Sequence, residues 1–108
     1  MTVVFLPGAE QDLRDIRHYV LKKFGAPAWA DTLARLRATV DALKTFPLSG
    51  KVPDELAELG SERYRQLVSG RNRVIYEPAA GIVYVHIVCD VRRDLRGLLS
   101  RRLLSVVR

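Results

Sequence analysis

The stretch RYRQLVSGRNRVIYE, residues 63–77, decides the fold. Two runs typical of β-strands, residues 64–68 and 73–76, flank the sequence SGRN at residues 69–72. Glycine-centred sequences of this kind join antiparallel strands in a tight turn, so a β-hairpin is expected. Four arginines lie within eleven residues of it, where charged side chains are uncommon: Arg63, Arg65, Arg71 and Arg73.

The chain before this hairpin predicts one strand and two helices. The apolar run TVVFL, residues 2–6, reads as a strand that stops at Pro7. From Ala9 the apolar residues recur every three or four positions until Gly25, which predicts a helix. Pro27 suits the first turn of a second helix, whose apolar seam is narrow: Trp29, Leu33, Leu36, Val40 and Leu43. The two helices should form an antiparallel pair.

The chain after the hairpin predicts a further strand. Residues 82–88 are rich in β-branched side chains and are expected to form a central strand. By strict alternation, Val83, Val85 and Ile87 share one face, which the helices should cover, while Tyr84 and His86 share the other.

The C-terminal segment predicts a basic amphipathic helix. Its apolar stripe consists of Leu95, Leu98, Leu99, Leu103 and Val106. Arginines fill most of the surrounding positions, and the stripe is expected to dock on the protein's own sheet. With one helical turn expected in the polar connection at residues 54–59, the order is β-α-α-β-β-β-α. This order predicts an α+β domain spanning residues 1–108, an antiparallel sheet with helices on one face.

Composition limits the classes of protein. The chain has 108 residues, 48% of them hydrophobic and 28% charged, which fits one globular domain. No apolar run approaches the roughly 20 residues that cross a bilayer, and the N-terminus lacks the features of a secretory signal. One cysteine, Cys89, forms no internal disulfide and is expected to be a buried apolar residue. These features favour a cytoplasmic protein.

Charge is concentrated in the second part of the chain. Residues 1–62 hold 8 Lys and Arg against 9 Asp and Glu, whereas residues 63–108 hold 10 Arg against 3 acids. Arginine suits bidentate contacts to phosphate or carboxylate groups. The expected partner of this half is therefore acidic, either a nucleic acid or an acidic protein surface, and the hairpin arginines are expected to line a concave sheet face that meets it.

The chain resembles the RelE/ParE superfamily of toxins from type II toxin–antitoxin modules. The resemblance covers nearly the whole chain and rests on the order of elements, on GAEQDLRDIRHYVLKKFG, on FPLSGKVPDEL, and on the hairpin followed by VYVHIVCDVRRDL. It implies a cytoplasmic toxin that a small antitoxin neutralises by wrapping it, and operator DNA contacted only through that antitoxin. It implies no cofactor and no metal.

The superfamily has two main activities. RelE-like members are metal-independent endoribonucleases that cut mRNA in the ribosomal A site, whereas ParE-like members are not enzymes but bind DNA gyrase and block replication. For the nuclease activity, the resemblance and the exposed strand face suggest five candidate residues: Lys51, Arg65, Arg73, Tyr84 and His86. For target or antitoxin binding, the candidates are arginines: Arg63, Arg65, Arg71, Arg73, Arg92, Arg93 and Arg96.

The sequence narrowly favours the ParE-like activity. Ribonuclease members commonly carry a catalytic Tyr, often beside a His, near the end of the last strand, but this chain has neither beyond His86. Tyr64 or Tyr84 remains an alternative acid for the RelE-like activity. A non-toxic basic nucleic-acid-binding module is a further alternative that rests on the charge alone.

Overall fold

The computed structural model describes residues 1–58 and 61–107, with side chains as far as Arg102. The elements are β1 (Thr2–Phe5), α1 (Pro7–Phe24), α2 (Ala26–Thr45), α3 (Asp54–Ala57), β2 (Arg65–Ser69), β3 (Asn72–Ala79), β4 (Ile82–Asp90) and α4 (Leu95–Val107). This order confirms the predicted α+β fold. The helical turn expected at residues 54–59 is α3, and Leu59 lies outside the described residues.

The four strands form one mixed sheet in the order β1-β4-β3-β2. Strands β2, β3 and β4 pair antiparallel, as predicted. Strand β1 instead pairs parallel with β4, from Thr2 opposite Ile82 to Phe5 opposite Val85, so the prediction of a wholly antiparallel sheet is wrong at this edge. Parallel partners need a long connection, and here the two helices and the β2–β3 hairpin supply it.

Gly25 separates the two long helices. Its φ of 90° lies in a region that side chains with a Cβ rarely adopt. In this conformation its N–H donates to the carbonyls of Val20 and Leu21, which satisfies the end of α1. Helix α2 then begins at the next residue, which places the two helices side by side.

Helices pack on both faces of the sheet. Helices α1 and α2 cover one face, and the buried members of this first core are Ala9, Leu36, Leu43, Val74, Tyr76, Val83, Val85 and Val88. Helices α3 and α4 contribute to the second core, on the other face, with Leu56, Tyr64, Ile75, Ile87, Cys89, Leu95, Leu98 and Leu99. The expectation of helices on one face only is therefore wrong. The predicted docking of α4 is confirmed for its first two turns, while Leu103 and Val106 lie outside the described side chains.

A β-bulge in β4 changes which residues share a face. Ile75 pairs with Ile87 and Tyr76 pairs with Val85, so His86 is an extra residue between two adjacent pairs. An extra residue reverses the alternation of the side chains that follow it. Ile87 consequently packs in the second core and Val88 joins the first, which corrects the predicted grouping of Ile87 with Val83 and Val85.

Candidate functional site

Arg65 and Arg73 lie on opposite faces of the sheet. Arg65 pairs across the strands with Tyr76, a member of the first core. Arg73 pairs with Cys89, a member of the second core. Cross-strand partners share a face, so the hairpin arginines do not line one concave surface as the sequence suggested. Arg73 and Tyr76 are three residues apart on one strand, and side chains an odd number of residues apart point to opposite faces.

Arg73 is a buried residue that is fully engaged within the protein. Only 8% of it is exposed. Its Nη1 and Nη2 atoms each donate to a carboxylate oxygen of Glu55 at 2.9 Å, and its Nε and Nη2 atoms donate to Gln66 Oε1 at 2.9 and 2.7 Å. The hydrogen bonds from Arg73 lower the pKa of Glu55 despite its partial burial. This geometry joins α3 to the sheet and leaves the guanidinium little capacity for an external ligand.

Arg65 holds the loop that follows α2. Its Nη1 donates to the carbonyl oxygens of Gly50 at 2.8 Å and Leu48 at 3.2 Å. Beside it, the Gly50 N–H donates to the hydroxyl of Tyr76 at 2.9 Å, and burial raises the pKa of that hydroxyl. Residues 46–50 are here called the apolar loop. Hydrogen bonds with two sheet residues, Arg65 and Tyr76, therefore hold this loop, and its Phe46 and Leu48 side chains are exposed to solvent.

Arg63, Glu77 and His86 form a cluster on the second face. The carboxylate of Glu77 accepts from Arg63 Nε and lies 3.0 Å from His86 Nε2. Burial alone would raise the pKa of Glu77, but the hydrogen bonds from Arg63 and His86 outweigh it and lower that pKa. The Tyr64 ring meets His86 edge-on, with centroids 5.2 Å apart. Only 2% of the His86 side chain is exposed, so the imidazole cannot reach a substrate in this conformation.

The structure does not assemble the five nuclease candidates into one site. His86 is buried beneath Tyr64 and Glu77, Arg73 is buried against Glu55, and Arg65 lies on the other face. Lys51 is on the surface, with its Nζ 3.8 Å from Asp54. Tyr84 is half-buried.

A groove opens between the α1–α2 pair and the end of the sheet that carries the β2–β3 turn. Its volume is about 630 Å³. The apolar part of its lining is Ile16, Tyr19, Val20, Phe24, Ala28 and Val88. The basic part is Arg35, Arg71, Arg92 and Arg93, and the acidic part is Asp12, Asp15, Asp31 and Asp90. This space, the helix–sheet groove, combines aromatic and aliphatic walls with charged edges.

Most charges of the groove are already paired. Asp12 accepts from Arg102, Asp31 lies 3.2 Å from Arg35, and Asp90 lies 3.1 Å from Arg92. By contrast, the guanidinium groups of Arg71 and Arg93 make no hydrogen bond or ion pair with another described residue. A backbone hydrogen bond of 2.9 Å from Val91 to Arg71 brings their two turns together. The lining as a whole holds four arginines and four aspartates, and its hairpin end presents two guanidinium groups that have no ion-pair partner among the described residues.

Of the other predicted binding arginines, Arg96 pairs with Glu58 on the surface. Together with Arg63, Arg65 and Arg73 it lies outside the groove lining, so the structure brings together only Arg71, Arg92 and Arg93 of the predicted set. Sequence reasoning missed the apolar groove residues because Tyr19, Val20 and Phe24 look like ordinary members of a packed helix stripe. It also missed Glu55 and Glu77, because the register of the strands decides that Arg73 and His86 face these two carboxylates.

The described residues contain no group of three His, Cys, Asp or Glu side chains that could hold a metal ion. Cys89 is buried, and burial raises the pKa of its thiol. No helix in the described part of the chain has both the length and the apolar character needed to span a membrane.

The fold is similar to that of a solved toxin–antitoxin protein. Nine chains of known structure match this one. One of them, from a structure described as the chromosomal ParDE TA system from P. aeruginosa, has a TM-score of 0.70 and 12% sequence identity, with 85% of this chain and 97% of that chain covered. At this identity the similarity shows the fold alone. None of the curated proteins matches the chain.

The sequence itself shows the family. The model described as "ParE toxin of type II toxin-antitoxin system, parDE" matches residues 3–95. This match spans β1 to the start of α4, and the chain therefore belongs to the ParE toxin family. The resemblance to the RelE/ParE superfamily that the sequence suggested is confirmed.

Proposed function

We propose that this protein is the toxin of a type II toxin–antitoxin module and acts as a ParE-like inhibitor of DNA gyrase in the cytoplasm. The observation that carries this proposal is the match of the ParE toxin model to residues 3–95. The proposed toxin acts by binding rather than by catalysis, needs no cofactor, and reaches operator DNA only through its antitoxin.

The geometry of the nuclease candidates supports the binding mode of action. Metal-free RNA cleavage needs a proton acceptor, a proton donor and cations within reach of one phosphate. Here the imidazole of His86 is occupied by Glu77, and Arg73 is occupied by Glu55. Neither side chain can serve that chemistry without a rearrangement of the second core.

The helix–sheet groove is the proposed docking site of the antitoxin. Its apolar walls suit the apolar side chains of an amphipathic segment, in the helix-in-groove mode. Arg71 and Arg93 at its hairpin end, which have no ion-pair partner among the described residues, suit carboxylates of that segment. An acidic amphipathic partner segment would therefore satisfy both kinds of lining.

Induction in growing bacteria tests the function. Incorporation of labelled thymidine and of labelled amino acid should be followed over the first minutes. We expect thymidine incorporation to fall first while translation continues, because replication is the proposed target. An early fall in amino-acid incorporation alone would contradict the gyrase proposal and favour the RelE-like endoribonuclease. Unchanged growth would favour a non-toxic nucleic-acid-binding module.

A further inference from the structure

The apolar loop exposes two large hydrophobic side chains that no described residue covers. Phe46 is 64% exposed and Leu48 is 62% exposed. Single exposed apolar residues are common on protein surfaces, but two within three residues on one short loop form a local apolar projection. Adjacent exposed apolar side chains often mark interaction sites.

The backbone of the loop is held by several hydrogen bonds. The Phe46 N–H donates to Ala42 at 2.8 Å, and the Ser49 N–H donates to Phe46 at 3.1 Å. Gly50 is held by Tyr76 and by Arg65, as described above, and Lys51 forms a two-bond bridge with Gln66. A loop fixed in this way presents Phe46 and Leu48 without the entropic cost of ordering their backbone on binding.

The charge near the loop is positive. Arg65 contacts the carbonyls of Leu48 and Gly50, and in the described part of the chain it has no carboxylate partner. Lys44 and Lys51 flank the loop in ion pairs of 3.5 and 3.8 Å with exposed acids. Such exposed pairs contribute little energy and exchange readily. A partner with acidic groups around an apolar pocket would be complementary to this surface.

The apolar loop is separate from the helix–sheet groove. The groove contacts the first half of α2, through Ala28, Asp31, Thr32 and Arg35, whereas the loop follows the last residue of that helix. The eleven residues from Arg35 to Phe46 correspond to roughly 16 Å along a helix axis. The groove lining and the loop therefore lie along different parts of α2.

We propose that Phe46 and Leu48 form the surface with which this toxin binds its protein target, through an apolar pocket with an acidic rim, and that Arg65 is the positioning residue of this surface. The inference rests on the proposed function, since it assigns the contact with gyrase to one end of the molecule. The antitoxin and the target then use different surfaces, and substitutions can separate the two activities.

The test is the double variant Phe46→Ser, Leu48→Ser, with Val68→Ser as the control. Val68 is a similarly exposed apolar residue, at 59%, but lies on β2. We expect the double variant to lose growth inhibition and to bind purified gyrase about 30-fold or more weakly, as loss of interface hot spots does. Its thermal unfolding and its affinity for the cognate antitoxin should be unchanged, as should every property of the control.

Three results would overturn the inference. They are full toxicity of the double variant, an equal loss of toxicity in Val68→Ser, and loss of antitoxin binding with toxicity retained. If wild-type protein arrests translation and does not bind gyrase, the proposed target is wrong, but loss of growth inhibition in the double variant alone still supports the loop as the target surface.

Arg65 provides an independent measurement. Arg65→Met removes the group that donates hydrogen bonds to the carbonyls of Leu48 and Gly50. Arg65→Lys keeps a charged donor group at this position. We expect gyrase binding to weaken in Arg65→Met and to be partly restored in Arg65→Lys. Amide exchange at Gly50 should likewise be slower in Arg65→Lys than in Arg65→Met. Equal binding by both variants and wild type would contradict a positioning role.

Discussion

At the scale of single residues, the arginines of the hairpin have separate functions that follow from strand geometry. Arg73 is the buried partner of Glu55 and Gln66, Arg65 holds the apolar loop, and Arg71 lies at the turn with no ion-pair partner in the described part of the chain. Their sequence spacing shows that they lie on one hairpin. It does not show which acid each one meets, because Glu55 comes from a distant segment.

The Glu55–Arg73 pair predicts how stability depends on pH. The folded-state pKa of Glu55 lies below its value in the unfolded chain, about 4.3. A depressed pKa stabilises the folded state fully above the unfolded value, and this stabilisation is lost as the pH falls through the folded-state pKa. We expect Glu55→Gln to be less stable than wild type at pH 7, by about 1–3 kcal/mol, and the difference to shrink below about pH 4.

Urea unfolding between pH 2 and 7, in steps of about one pH unit, measures this effect, since the linear extrapolation gives the free energy of unfolding at each pH. Glu62→Gln is the control because Glu62 is exposed and makes no ion pair in the described part of the chain. A difference between Glu55→Gln and wild type that stays constant down to the lowest pH would contradict the assignment.

At the scale of elements, the order of helices and strands was predictable from changes in the spacing of apolar residues along the chain. Pro7, Gly25 and the hairpin turn marked where elements end. The packing faces were only partly predictable. The bulge at His86 has no signal in a run of β-branched residues, and it alone moves Ile87 to the second core. The parallel pairing of β1 and the position of α4 on the second face depend on tertiary contacts between segments far apart in sequence.

The two glycines at Gly50 and Gly97 should respond oppositely to alanine. A Cβ on Gly50 would lie 2.5 Å from the Gln66 carbonyl oxygen and 2.6 Å from the Tyr76 hydroxyl. A Cβ on Gly97, within helix α4, has Arg101 Nη1 at 3.6 Å as its nearest neighbour among the described atoms outside the backbone of its own helix turns. We expect Gly50→Ala to lose about 1–3 kcal/mol of unfolding free energy through overpacking. Gly97→Ala should gain up to about 1 kcal/mol through helix propensity.

Urea denaturation of both variants measures these changes. Because the apolar loop needs Gly50 close to Tyr76, Gly50→Ala should also weaken target binding. A neutral Gly50→Ala would contradict the close packing of loop and sheet.

At the scale of the whole molecule, the two proposed surfaces lie at different ends of α2. The helix–sheet groove combines apolar walls with the guanidinium groups of Arg71 and Arg93, and the apolar loop projects after Thr45. The charge asymmetry of the sequence predicts a basic surface near the hairpin, and of the predicted arginines the structure brings Arg71, Arg92 and Arg93 to the groove lining. The asymmetry could not indicate the groove, because the groove forms between the helical pair and the sheet and so depends on tertiary packing.

The groove predicts a separable effect on the antitoxin. The double variant Arg71→Ala, Arg93→Ala should keep growth inhibition but need more antitoxin for rescue, with binding weakened about 10-fold to 100-fold and less sensitive to salt. The control is Arg17→Ala, Arg37→Ala, which removes two exposed arginines of α1 and α2 that lie outside the groove lining. Unchanged antitoxin binding by the groove variant would contradict the docking site.

The most direct test of the central claim is an assay of purified gyrase with supercoiled DNA, ATP and this protein. The account predicts that the protein inhibits supercoiling and accumulates cleaved DNA that remains bound to gyrase, and that added antitoxin prevents both effects. Full gyrase activity at saturating toxin, together with cleavage of mRNA on translating ribosomes, would contradict it.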